Sequence, residues 1–374
     1  MSTICARCAL RLQRAAQTET RHASQRAFSQ TTTRRKHHGI PTFTETSTPE
    51  LNDVLASMRS KHFTPAYLHA SERRLIFGTK NRQTLADNPQ TVTVGDEDIE
   101  LQWLDRRNDI PNRTTLFHRA IDLMAAGTDS KAWSNLPSLL AGLKGAGAKV
   151  EEKMMGKVVR KAVGAGRIAI VVQCLQQGGH TGMTLQSEQI LEHVIWGLHM
   201  TAQRDGEWSE EAVLKALKAA NQLGLLLETE EHGGGRYLRE HDPRRRAEVL
   251  GVFLELAAVH AYKFQGGKDV DGKVKIYAER LLGCIDGAAQ PLSHAPVPTG
   301  PQYEMLHGIP IWHGLHLAEK ILGKGLPQPQ VAKKVRQDYE AGLTILAQAI
   351  EAQQPKAGSY GDQAVRAWRE CIRD

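Results

Sequence analysis

"VEEKMMGKVVRKAVGAGRIAIVVQCLQQGGHT" (residues 150–181) reads as two short helices joined by a turn of small residues. Met154, Met155, Val158, Val159 and Ala162 recur at helical spacing, and Ile168, Val171, Val172 and Leu175 do so again after the break. Ala162, Gly164, Ala165 and Gly166 leave room for the helices to turn back on each other. Each helix has one apolar stripe, which it buries against a neighbour.

The same pattern extends outward. Leu116, Ala120, Leu123 and Met124 form an earlier stripe, and Leu136, Leu139, Leu140 and Leu143 form the next. Longer helices are predicted over 187–203, 209–228 and 244–264, separated by "GAGA", "GAGR", "QQGGHTG" and "EHGGG". The most apolar run, "VLGVFLELAAVHAY" from Val249, is interrupted by Glu255 and reads as a buried helix. It falls short of the roughly 18 apolar residues of a membrane span. Gly147 and Gly182 stand 35 residues apart, each just before a new helix.

The unit between these glycines resembles a pentatricopeptide repeat: helix A ends in "RKAVGAGR", helix B is "RIAIVVQCL", and a Thr-Gly exit follows. The resemblance covers one to two degenerate repeats, about residues 115–182, and the period fades beyond Gly182. It implies a mainly α fold, an α-helical hairpin array of the PPR/TPR-like solenoid kind, over residues 114–285. A proline-rich linker (286–302) leads to C-terminal helices in 303–374, predicted at 303–323, 328–353 and 361–372, that cap the array or pack back on it.

Ahead of the array, residues 36–113 form an N-terminal extension. Residues 40–49 read as an extended linker. Pro49 opens a short helix with Leu51, Val54, Leu55 and Met58 on one face, and "TPAYLHASERRLIFG" reads as a second helix running into a strand. In "TVTVGDEDIELQWL" (91–104), Val92 and Val94 alternate, as do Ile99, Leu101 and Trp103, around Gly95-Asp96. That is a small β-hairpin element.

The first 39 residues are of another kind. They carry eight Arg or Lys against Glu19, a net +7, while the other 335 residues carry 40 basic and 40 acidic side chains. A leader rich in Arg, Ser and Thr and poor in acid matches a mitochondrial transit peptide, assigned to residues 1–35. "RAFS" (26–29) resembles a matrix-processing site, with cleavage near 28–35. The competing reading is a retained basic arm that binds nucleic acid. Cys5 and Cys8 lie in the leader, and Cys174, Cys284 and Cys371 are too scattered for a disulfide framework or a Cys-built zinc site.

No catalytic constellation can be assembled. His307, His313 and His316 lie close in sequence, but no carboxylate or Cys has a supporting spacing, so packing beside Trp312 is the better reading than a metal site. "DVDGK" (269–273) puts its Gly fourth instead of sixth and reads as a turn, not a calcium loop. "GLKGAG" and "GGK" lack the context of nucleotide-binding loops. We expect no enzymatic activity, cofactor, metal or small-molecule substrate.

Charge is more informative. Residues 144–167 carry a net +5, and Lys153, Lys157, Arg160 and Lys161 share a helix face opposite the apolar stripe. Phosphate binding requires such a face, and the RNA-contact candidates are Lys149, Lys153, Lys157, Arg160, Lys161 and Arg167. Met154 occupies the position that would read a base in a pentatricopeptide unit and cannot make the polar contact, so a base code is not expected. Residues 186–231 carry a net −6.

These features, with the resemblance, imply a non-enzymatic mitochondrial matrix protein of organelle gene expression, associated with the mitochondrial ribosome or with RNA. The alternative is a protein-binding scaffold or assembly factor for a respiratory-chain complex. The neutral body and the acidic 186–231 region favour that alternative, with other mitochondrial proteins docking on helical faces. Sequencing the N-terminus of protein recovered from mitochondria should give a start near Ser29 or Lys36; an intact Met1 would make the basic run part of the working protein.

Overall fold

The computed structural model describes residues 39–203, 207–239, 242–285 and 300–373. The leader with Cys5, Cys8 and its processing sites lies outside these residues, as does most of the 286–302 linker. In chain order the elements are α1 (Pro49–Met58), α2 (Ala70–Phe77), α3 (Arg82–Asp87), β1 (Gln90–Val94), β2 (Glu97–Leu101), α4 (Arg113–Ala126) and α5 (Leu136–Gly145). There follow α6 (Glu152–Gly164), α7 (Ile168–Gln176), α8 (Glu188–Ala202), α9 (Glu210–Leu227), α10 (Ala247–Phe264), α11 (Lys273–Ile285), α12 (Pro301–Leu322), α13 (Pro329–Ala352) and α14 (Tyr360–Cys371). The described chain is mainly helical, with one two-stranded antiparallel sheet. Its described residues divide into two units: residues 39–40 with 67–106, and residues 41–66 with those from 107 onward.

In the smaller unit the expected hairpin forms, with Val92 opposite Ile99 and Gly95 at φ 66° in the turn. Val94 and Leu101 are buried, as are Ile76 of α2 and Leu85 of α3. The strand expected after α2 does not form. Leu75–Phe77 stay helical, and the Asn81 side-chain amide donates to the Arg74 and Leu75 carbonyls at 3.2 and 3.3 Å, closing the helix end.

In the larger unit the predicted helices form within a few residues of their expected ends. Side-chain caps explain several starts: the Asn112, Ser187, Ser209 and Ser359 oxygens accept from the first turns of α4, α8, α9 and α14. Gly147 and Gly182 hold φ 69° and 79°, the left-handed backbone that ends a helix and frees the chain to start another. α11 goes beyond the expected elements. The Asp269 carboxylate caps it by accepting from Val274 and Lys275 N–H, so "DVDGK" is a helix-capping turn. Residues 41–48 run extended but are anchored: buried Asn135 accepts from Thr44 N–H at 2.7 Å and donates to its carbonyl at 2.8 Å.

Three successive helix pairs, α4/α5, α6/α7 and α8/α9, form two rows, the last two pairs packing as hairpins. Their first helices touch in series, α4 on α6, α6 on α8 and α8 on α10, and their second helices do likewise, α5 on α7 and α7 on α9. Beyond them α10 packs along α12. The C-terminal helices pack back on the hairpins: Trp196 of α8 shares one core with Met305, Ile309 and Trp312 of α12, Leu343 of α13 and Trp368 of α14.

The centre of this unit holds a charge. Glu255 of α10 is fully buried between His199 Nδ1 of α8 at 2.7 Å and His313 Nδ1 of α12 at 2.9 Å. Burial alone would raise its carboxyl, but the two histidines reverse that and hold it down at about 2. At Gly314 of α12 an added Cβ would stand 2.9 Å from Glu255 N, so the two backbones approach as closely as glycine permits. Removing one partner of a buried pair costs about 3–5 kcal/mol. Glu255→Leu should therefore lower unfolding stability by about that amount in urea melts at neutral pH. An unfolded Glu titrates near about 4.3. The stabilisation is thus full above that pH and lost as pH falls towards about 2. Glu255→Gln should flatten the loss of stability across that acid window.

Candidate nucleic-acid interface

α6 is amphipathic, and its two faces meet different surroundings. Met155, Gly156, Val158, Val159 and Ala162 are buried against the neighbouring hairpins. Lys153 and Arg160 are exposed on the other side and Lys157 is half-buried between them. Lys149, three residues before the helix, is exposed as well. At about 1.5 Å per residue, the stretch from Lys153 to Arg160 spans roughly 10 Å of one face.

The six sequence candidates therefore separate. Lys149, Lys153, Lys157 and Arg160 form an outward basic stripe. Lys161 turns to α4 and forms an ion pair with Asp122, whose carboxyl it holds below the usual range. Arg167 sits in the turn between α6 and α7, with its Nε buried and without a hydrogen-bond partner. Lys161 is thus committed to an acid, whereas Arg167 stays partly exposed. Met154 is half-buried, in keeping with the absence of a polar base contact there.

Beyond the stripe, Arg160 stands 5.9 Å from the centre of the Tyr360 ring. The Tyr360 hydroxyl lies 3.0 Å from His193 Nδ1. Burial, then the charges of Arg160 and His307, push the His193 imidazole down to about 4, so the neutral ring accepts and Tyr360 donates. The acidic 186–231 region is in part neutralised within the fold: Glu228 pairs with Arg244 at 2.6 Å and Glu188 with Arg246 at 3.3 Å.

His313 and His316 point to different partners. His313 faces Glu255, whereas His316 stacks on Trp312 at 5.0 Å and 7°. His199, Glu255 and Cys371 have ligand atoms within 4.8 Å of one another. Both ring nitrogens of His199 are already engaged, however, with Glu255 at 2.7 Å and Gln203 Oε1 at 3.0 Å. The trio is a packed hydrogen-bond network.

Sequence reasoning located the stripe but missed its surroundings. Lys215, Tyr303 and Lys356 reach the same cleft as Arg160 from α9, α12 and the loop before α14. No local spacing connects them.

Over residues 26–370 the chain matches the family described as mitochondrial ribosomal protein mS27. It is similar to the small ribosomal subunit protein mS27 of Neurospora crassa, 28% identical over 274 residues, which are 69% of this chain and 68% of the relative. The match spans the hairpins, the basic stripe of α6 and the C-terminal helices together, and the chain belongs to the mitochondrial ribosomal protein mS27 family.

Proposed function

We propose that this chain is a non-enzymatic component of the small subunit of the mitochondrial ribosome, acting in mitochondrial translation in the matrix and meeting RNA through the outward face of α6. Family membership carries the ribosomal assignment. It also favours that assignment over a scaffold for a respiratory-chain complex. Lys149, Lys153, Lys157 and Arg160 support the RNA half, because the last three project from a helix whose opposite face is locked into the core and Lys149 lies exposed just before it. Their charges would displace counterions from a phosphate backbone without reading its sequence.

We further read the three successive helix pairs as a degenerate pentatricopeptide-like solenoid. Their first helices begin at Arg113, Glu152 and Glu188, close to the roughly 34-residue spacing of such repeats. On this reading, residues 1–35 are a cleaved leader, 36–113 an extension, 114–285 the array, 286–302 a linker and 303–374 a C-terminal buttress.

The test combines charge reversal with sedimentation. The tagged protein should co-migrate with small-subunit particles on a sucrose gradient and leave them when ribonuclease is added. The K149E/K153E/K157E variant should show weaker, less salt-dependent retention. For the isolated proteins, the slope of log affinity against log salt should fall by about 0.9 per phosphate contact removed. Unchanged retention and slope would remove the stripe from the interface.

A further inference from the structure

α6 does not end at a blank surface. Arg160, the last cation of its stripe, stands in the wall of a cleft of about 1210 Å³ within the larger unit. That exceeds the about 300–1,000 Å³ typical of small-molecule sites, so the space suits a length of polymer better than a metabolite. Lys215 of α9 and Lys356 of the loop before α14 line it from other directions. Both are exposed, and among the described residues neither forms an ion pair, unlike Lys161, which is committed to Asp122. Glu207 and Glu211 are the carboxylates in the lining, so the uncommitted cations exceed them.

Aromatic surface completes the cleft. Tyr303 and Tyr360 are partly exposed within it, 5.5 Å apart at 81°. Gln302 and Gln353 line the same space. On the rim Gln354 holds φ 50°, a left-handed backbone that a non-glycine residue adopts at a cost of order 1–3 kcal/mol. Cations, π-faces and amides lining one groove suit an unpaired nucleic-acid strand. Phosphates meet the charges, unstacked bases meet the rings, and amides meet base edges. A duplex hides its bases in the stack and could use only the charges.

We infer that this cleft holds a single-stranded segment of RNA, delivered along α6 and gripped by Arg160, Lys215 and Lys356 over Tyr303 and Tyr360. The inference rests on the RNA-facing reading of α6 and adds a strand-selective site to it.

The test measures binding of the purified full chain to a labelled oligouridine of about 12 nucleotides and to an RNA duplex of the same length. K215E/K356E changes two exposed side chains, and circular-dichroism melts of this variant should match the wild type. It should bind the single strand about tenfold more weakly and the duplex within about twofold of wild type. K149E/K153E/K157E should weaken both. Full single-strand affinity in K215E/K356E, or equal losses for strand and duplex, would overturn the cleft site while leaving the α6 stripe intact. Normal binding by the stripe variant alongside loss in the cleft variant would instead sink the stripe and keep the cleft. Ultraviolet crosslinking of intact small subunits supplies a second readout: RNA adducts are expected on peptides holding Tyr303 or Tyr360. A protein crosslink there in their place would assign the cleft to a neighbouring polypeptide.

Discussion

Glu255 has no exposed surface, and its oxygens meet imidazoles from two different helices at 2.7 and 2.9 Å. A lone carboxylate in that position would cost several kcal/mol of desolvation, so the fold tolerates it only while both histidines stay in place. The requirement fixes α8, α10 and α12 against one another in translation as well as rotation. Apolar packing alone is more permissive, because similar side chains can slide past one another by a turn. Close approach at Gly314 adds a steric limit to the polar one.

The rest of the larger unit follows from that arrangement. α8 belongs to the third hairpin, α10 continues the row of first helices, and α12 begins the C-terminal layer. Setting their register places the Trp196, Trp312 and Trp368 core, and hence the seat of α13 and α14 on the hairpins. The hydrogen bond from Trp196 Nε1 to Gln363 at 3.4 Å adds a polar tie between α8 and α14. The start of α14 thereby reaches the end of α6, where Tyr360 meets both Arg160 and His193.

A neutral body and a basic contact surface are compatible because charges are sorted by place. Acids are matched by neighbouring arginines at the surface, as in Glu228 with Arg244 and Glu188 with Arg246. Among the described residues, Lys149, Lys153 and Lys157 of the stripe form no ion pair, though the charge of Lys157 helps lower the Asp122 carboxyl. Phosphate contact depends on local density of uncommitted cations at the surface, and net charge is a poor guide to it. A member of the mitochondrial ribosomal protein mS27 family can therefore have a charge-balanced body and still present a basic face.

The sequence by itself determined the helical class, the β-hairpin, the ends of the longer helices and the amphipathic character of α6. All of these rest on periodicity and on chemistry within a few residues: stripe spacing, capping oxygens and turn glycines such as Gly182. It also placed Glu255 in a buried helix, but not its partners, because His199 and His313 lie 56 and 58 residues away. The expected strand after α2 failed for a similar reason, since Asn81 reaches back to close the helix. Only the tertiary structure decided that Lys161 of the basic run is committed to Asp122 while Arg167 stays partly exposed. Only it joined Arg160 to Lys215, Tyr303, Lys356 and Tyr360 in one cleft. Helix geometry dictates which side of its own helix a residue occupies; what stands opposite that side depends on packing among distant segments, which no local pattern encodes.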